Sequence, residues 1–472
     1  METTPSLKIL SRERGAILQS LAAGVVPRIG LHHIQVGRKD ETTALLEDLE
    51  RIADGGAAVR FVIGRFGTGK SFFLNLVKTL ALEKKFVVMQ ADLTPARRLS
   101  ASAGQAAALY TELIHSMAVR SKPEGGALPG VVERWIGEWV EESAWQGENT
   151  DATRAAREIR EKLKPLLSRV GGYSFADVLG KYLEGYLAGD GALQEAALRW
   201  FFGEYATRTE AREALGVRTI VTDRDLCDYL KLWGAFVVLA GYSGLLVNLD
   251  EMGVLSHRLN NAASRNANYE ILLQILNDCL QGNVSGIGFI FAGTDAFLDD
   301  PRRGLMSYGA LAGRLAANPY AKAKAGEKTS LKEASLKETS LKEVRLKEVR
   351  LKEVRLKDFF GPVIRLESLS PEDLYLLLHN IRNVFALGDP EKYLVPDEAI
   401  HAFIQRCAQT LGASFYQTPR DASKAFVGFL SLLEQNPGVD WRALLGDVPI
   451  EPSLAAEANG QGDDELARFT LA

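Results

Sequence analysis

Eight consecutive residues, Gly64-Arg65-Phe66-Gly67-Thr68-Gly69-Lys70-Ser71, follow the spacing GxxxxGK[ST], whose chemistry is the grip of phosphate. The glycines let the backbone curl until its N–H groups and the amino end of a following helix face phosphate oxygens. Lys70 supplies a cation for the β and γ phosphates, and Ser71 offers a hydroxyl to Mg2+. Much further along, Leu245-Leu246-Val247-Asn248-Leu249 runs straight into Asp250-Glu251. Here Asp250 is placed to hold Mg2+, generally through water, and Glu251 to polarise an attacking water. A third run, Gly288 to Gly293, ends at Thr294; beside a γ phosphate its hydroxyl helps to place that water, and capping the strand end is its competing use. Two arginines complete the set. Arg420 opens a late helix and can reach phosphates from there. Arg314 follows the Thr294 run where a finger would project into a neighbouring subunit's site, with Arg302 and Arg303 as rivals for that task.

These side chains need strands that end together. Val59 to Ile63 is β-branched and aromatic and stops at Gly64, a helix follows from Lys70 toward Leu82, and Phe86 to Met89 starts the next strand, ending near Asp92. Strand, glycine loop, helix and strand make a parallel βαβ unit. Leu245 to Leu249 and Gly288 to Ala292 read as further strands, separated by a helix through Tyr269 to Leu280. The alternation implies a three-layer α/β core with a parallel sheet. About 180 residues lie between Lys70 and Asp250, far more than such a core requires. The stretch from about Ser100 to Arg218 is mostly helical in pattern, so it reads as an insertion.

The uncharged run between Lys231 and Asp250 has the length of a membrane span. Leu226, Leu230, Trp233 and Val237 nevertheless recur at helical spacing behind the capping candidates Thr222 and Asp223, and Gly241 stands where the helix stops. A helix followed by a strand is the expectation, since an Asp-Glu end is costly in lipid. The amino end lacks a signal-peptide core, and the three cysteines, Cys227, Cys279 and Cys407, form no paired framework. A cytoplasmic location follows, without a membrane. Over 472 residues, 56 Lys plus Arg face 60 Asp plus Glu; a net charge of -4 excludes a global basic field for nucleic acid. Guanine-reading NKxD, metalloprotease HExxH and acyl-transfer GxSxG patterns are all missing from the sequence.

From Ser330 to Asp358 the chain repeats a pentad, SLKEA to RLKEV. Five residues advance about 500° on a helix, so the leucines spiral and form no seam. Glutamate-first pairs at i, i+4, such as Glu333 with Lys337 and Glu343 with Lys347, support a solvated helix or flexible loop without chemistry, with a partner-contacting arm as the alternative. Beyond it, Val363 to Leu366 reads as a strand, and Ser370-Pro371-Glu372-Asp373 is a strong helix start. Helices around Asp397 to Leu411 and Pro419 to Leu433, the last opened by Thr418, complete a small helical lid.

In this order the motifs resemble an AAA+ ATPase of the origin-recognition and initiator-loader kind. Val36-Gly37-Arg38 matches the short motif that lines the adenine pocket in that family. The loop from Gly64 to Ser71, then Asp250-Glu251, Thr294, Arg314 and Arg420, fall in the family order of Walker A, Walker B, sensor 1, arginine finger and sensor 2. More narrowly, IGRFGTGKSFFLNLV, ADLTPARRL and TPRDASKAF resemble the BrxD-type ATP-binding proteins of BREX phage-defence systems, from about residue 20 to 440. The resemblance implies a P-loop NTPase fold with ATP and Mg2+ as cofactors. It also implies a homo-oligomer working beside a helicase-like partner in association with DNA. No basic winged-helix module follows the lid, so any hold on DNA must come from a local surface or from a partner. The expected organisation is an N-terminal helical segment (1–30), a nucleotide-binding core (31–99 and 219–366) and a helical insertion (100–218). The pentapeptide repeat (327–358), the lid (367–445) and a flexible tail (446–472) complete it. The expected function is ATP hydrolysis coupled to loading or remodelling of a defence complex. The alternatives are a nucleotide-gated switch, in which occupancy controls partner binding, and a regulatory signalling ATPase with the insertion as sensor.

Overall fold

Runs of β-branched and aromatic residues form five strands: β1 (Ala57–Ile63), β2 (Val87–Asp92), β3 (Leu245–Asp250), β4 (Ile287–Gly293) and β5 (Val363–Arg365). They pair in parallel in the order β2-β3-β4-β1-β5. The fold is that of a computed structural model, which describes residues 9–145, 161–316, 318, 358–411 and 419–447. The pentad repeat up to Lys357, Thr418 and the tail from residue 448 lie outside the described residues.

A parallel sheet must be covered on both faces, and its strands alternate accordingly. Val59, Phe61 and Ile63 of β1 face one core, while Ala58 and Val62 face another. The second core is closed by α2 (Lys39–Ala53) and α3 (Lys70–Glu83). Their apolar stripes, Leu45, Leu49 and Ile52 in one and Phe73, Leu74 and Val77 in the other, repeat at helical spacing. Arg60 also points to that face and is 7% exposed. It donates twice to Asp48 of α2, from Nε at 2.5 Å and Nη2 at 3.0 Å, and its Nη1 reaches the carbonyl of Phe359 at 2.8 Å. A buried guanidinium is tolerable only with such partners; these also tie the start of the β5 region to β1.

The first face carries most of the extra length. Helices Gln105–His115, Leu128–Trp145, Gly172–Ala188 and Gly191–Phe202 share one continuous core with the sheet, joined through the helix Leu226–Leu239. Aromatic rings knit that junction: Trp233 lies 4.9 Å from Phe175 and 5.4 Å from Phe201, centroid to centroid. The polar tips are satisfied too, Trp233 Nε1 donating to the Tyr110 hydroxyl at 3.0 Å and that hydroxyl to the Phe201 carbonyl at 2.9 Å. The run of membrane-span length is thus the end of the helix Leu226–Leu239 followed by β3. Among the described residues no helix is long and apolar enough to cross a membrane.

A third core joins α1 (Ser11–Ala22) to the helices Pro371–Phe385, Asp397–Leu411 and Pro419–Gln435. Ile17 and Leu18 of α1 pack among Leu378, Phe426 and Leu430, and Arg14 Nε donates to the Phe385 carbonyl at 2.7 Å. The amino-terminal helix is therefore built into the lid. Ser370 caps Pro371–Phe385, its side chain accepting from Asp373 N–H, as its sequence signature predicts.

One expected cap is overturned. Asp225, not Thr222 or Asp223, stands at the amino end of Leu226–Leu239. Asp223 instead accepts from the N–H groups of Gly104, Ala106 and Ala107 at 2.7, 2.8 and 2.9 Å. It caps a helix more than a hundred residues earlier, because three orphan donors there outbid one local turn. Asp223→Ala should lower stability by about 1–2 kcal/mol, seen as a reduced denaturant midpoint, with the Gln105–His115 amides exchanging faster with solvent.

Candidate nucleotide-binding site

The glycine loop turns the chain from β1 into α3. Gly69 takes a φ of +91° just before the helix. A Cβ on Gly64 would fall 2.8 Å from Thr68 Oγ1 and 2.9 Å from the Leu366 carbonyl. Both positions therefore demand glycine. Gly64 N–H donates to the Gly293 carbonyl at 3.2 Å, holding the loop against the end of β4. Lys70 Nζ donates to the carbonyls of Gly64 and Arg65, each at 2.9 Å, so its ammonium lies inside the curl. Burial pushes that ammonium down from the usual lysine range, while Asp250, Glu251 and Asp295 push it back up.

Opposite the loop, the ends of β2 and β3 converge. Asp250, 5% exposed, accepts from Ser71 Oγ at 2.7 Å on one oxygen and from Glu251 N–H at 2.8 Å on the other. Glu251 adopts a φ of +56°, a left-handed conformation that costs a non-glycine residue about 1–2 kcal/mol. The bend turns the chain sharply as it leaves β3. Burial, then the Asp250 charge, raises the Glu251 carboxyl above its ordinary range. Asp92 pairs in register with Asp250 across β2 and β3 and is raised for the same two reasons. Three carboxylates and a serine hydroxyl at one sheet edge are a hard oxygen set that suits Mg2+.

A cavity of about 460 Å³ opens over this edge. Its polar end is made by Gly67 to Ser71 with Asp92, Asp250 and Glu251, and its apolar wall by Val25, Pro27, Ile34 and Val36. The lid contributes Leu369, Leu377 and Arg420. An apolar slot beside a cationic loop matches a molecule with a flat base at one end and phosphates at the other. Arg420 places its guanidinium 5.5 Å from the centre of the Phe66 ring, a cation–π contact between lid and loop.

Of the motif Val36-Gly37-Arg38, Val36 and Arg38 line the cavity. Gly37 takes a φ of +60° and backs onto the Asp373 carboxylate of the lid. Arg38 Nη2 donates to the Thr68 carbonyl at 3.2 Å and to the Glu367 carbonyl, and the guanidinium pairs with Glu41 at 3.5 Å. Arg38 thereby pins the glycine loop to the segment that leads into the lid.

The remaining candidates are not among the residues that line the cavity. Thr294 ends β4, where its hydroxyl accepts from Phe297 N–H at 3.3 Å and caps the short helix Asp295–Asp299. Arg314 is exposed on the helix Gly309–Leu315 and donates to the Ala310 carbonyl at 2.8 Å. Arg302 and Arg303 are exposed, their backbone N–H groups held by Asp300 at 2.7 and 2.9 Å. Neither they nor Arg314 line the cavity of their own chain. Two parts of the site escape sequence reading: Asp92, a lone acid at a strand end, and the wall from Leu21 to Pro27. Only strand register reveals the first, and only docking of α1 on the lid reveals the second.

A parallel sheet with a phosphate-type loop, a serine hydroxyl bonded to a buried aspartate and an apolar slot defines an α/β nucleotide-binding protein. Which nucleotide, and in what setting, follows from kinship. The chain belongs to the BrxC/BrxD family of BREX system ATP-binding proteins, whose family model matches residues 9–354 and 334–448. It is thus an ATP-binding component of a defence system, which implies partner proteins. No curated protein matches the chain. Replacing Lys70 with alanine should raise the Kd for ATP about 10- to 100-fold in isothermal titration. That corresponds to losing a charge-assisted hydrogen bond of about 1.5–3 kcal/mol.

Proposed function

We propose that the protein is an AAA+ ATPase that binds Mg-ATP and hydrolyses it at a subunit interface, using the cycle to load or remodel a DNA-associated defence complex. The observation that carries this reading is the 2.7 Å contact from Ser71 Oγ to Asp250, with Glu251 beside it and Lys70 across from it. Ser71 and Asp250 would hold Mg2+, which supplies charge neutralisation on the phosphates when bound. Lys70 orients the β and γ phosphates, and the loop N–H groups face their oxygens. Glu251, with a raised affinity for protons, orients an attacking water and takes its proton. Thr294, on the strand between β3 and β1, is proposed to help place that water. The strand order supports the AAA+ assignment, because it sets Asp250, Thr294 and Gly64 side by side at three neighbouring strand ends.

Arg314 finds no use in its own chain's cavity and so is free to complete a neighbour's, which makes a homo-oligomer part of the proposal. Arg420 would report nucleotide state from the lid. A helicase-like partner and DNA are the proposed targets of the cycle. One observation favours the second reading, a nucleotide-gated switch: core and lid both wall the cavity, so occupancy alone can set the lid.

Glu251→Gln separates the two readings. Turnover should fall about 10²- to 10⁴-fold while ATP affinity is kept. Loss of phage defence with that turnover supports the hydrolysis cycle, and defence that persists supports the switch. The interface is tested by light scattering with a slowly hydrolysed ATP analogue. Nucleotide should drive assembly, and Arg314→Ala should still assemble but hydrolyse at least tenfold more slowly. A monomer hydrolysing at full rate would refute the interface mechanism.

A further inference from the structure

Glu13 of α1 and the paired histidines of the turn Leu31–His33 meet outside the nucleotide cavity. The carboxylate and both imidazoles each bring one ligand atom to within 4.8 Å of the others. His33 Nε2 lies 3.3 Å from Glu13 Oε2, and the two imidazole centroids are 3.9 Å apart, tilted by 45°. Glu13 is fixed from behind by Leu10 N–H, which donates to the same oxygen at 3.1 Å. The side chains of His33 and Glu13 are 7% and 19% exposed, whereas His32 is exposed and makes no hydrogen bond to a described residue.

The approach is built by the backbone. Gly30 takes a φ of +73°, and a Cβ there would lie 2.7 Å from Ile17 Cδ1. Only glycine lets the histidine turn press against α1. Zinc holds nitrogen and oxygen donors at about 2.0–2.2 Å, which puts neighbouring donors of a tetrahedral site roughly 3.3 Å apart. The His33–Glu13 separation already has that value. Two imidazoles with one carboxylate form a borderline donor set that suits zinc and its neighbours over Mg2+ or Ca2+.

We propose that Glu13, His32 and His33 form a binding site for a zinc-class divalent transition metal. Such an ion ties α1, and through it the lid, to the turn that runs directly into Ile34 and Val36 of the cavity wall. The metal site stands independently of whether ATP is hydrolysed.

The test uses the tag-free full chain, stripped with a chelator and titrated with Zn2+ by calorimetry. Excess Mg2+ keeps oxygen-only sites from competing. The expected result is one zinc equivalent bound in the micromolar range, with affinity falling about tenfold or more in His32→Ala and in His33→Gln. The latter retains a hydrogen bond to Glu13 but offers no imidazole. Glu13→Gln, which still accepts from Leu10 N–H, should weaken the same equivalent. Cobalt loading should give the visible absorption of a tetrahedral nitrogen–oxygen site in the wild type and lose it in the His33 variant. Circular dichroism of the metal-free variants shows whether each is folded, and only folded variants are compared. Equal zinc stoichiometry and affinity in the wild type and in either folded histidine variant would overturn the site. So would a wild type that binds no zinc in the micromolar range, leaving His33 and Glu13 as a structural ion pair alone.

Discussion

Three carboxylates, Asp92, Asp250 and Glu251, crowd one edge of a buried sheet, and like charges at close range repel more as water is excluded. The rest of the structure answers that repulsion. Lys70 stands across from them, Ser71 and the Glu251 N–H occupy the two oxygens of Asp250, and burial with Asp250 raises its two acidic neighbours. A site that collects negative charge and only partly compensates it would favour a divalent cation, as the proposed function requires. The same imbalance explains why the glycine loop must be rigid. A Lys70 that could swing away would leave the acids uncompensated, and the carbonyls of Gly64 and Arg65 hold it in place.

Holding such an edge requires strands that cannot slip. Because side chains alternate with a period of two, sliding β3 by one residue would carry Asp250 from the α3 face to the opposite one. Burial of both sheet faces prevents that: Leu245, Val247 and Leu249 are committed to one core and Leu246 to the other. The long insertion acquires a structural meaning in this light. Its helices do not hang from the nucleotide-binding core but cover one of its faces, through Trp233, Phe175 and Phe201. Removing it would expose that face of the sheet to water.

What was legible in the sequence was local. Gly64 to Ser71 lies within one turn between a strand and a helix, and Asp250-Glu251 ends an apolar run, so spacing alone placed both at strand ends. The strand and helix positions were readable for the same reason, since period two and period 3.6 are properties of short windows. Contacts set by long-range docking were not legible. Asp223 looks like a local cap yet serves a helix across the fold, and Asp92 gains its meaning only from register with Asp250. Thr294 illustrates a limit of another kind. One hydroxyl can cap a helix and face a ligand, and a linear sequence does not rank the two uses.

The lid has its own core, separate from the two that sandwich the sheet, and α1 belongs to it. Among the described residues, ties from lid to glycine loop include Arg38, which reaches from Thr68 to Glu367, and Arg420, which lies over Phe66. Both depend on a guanidinium, whose planar donors and π-stacking face make it suited to bridging backbone and ring. The lid forms one wall of an apolar slot whose other wall is the glycine loop and the segment before it. A base against Val25, Pro27 and Ile34 with phosphates on the loop would touch both bodies at once, adding contacts that neither makes alone. Differential contact of this sort is the only physical means by which a ligand can shift one arrangement toward another. On the proposed reading, lid position would therefore report occupancy, whether or not the bound nucleotide is then hydrolysed.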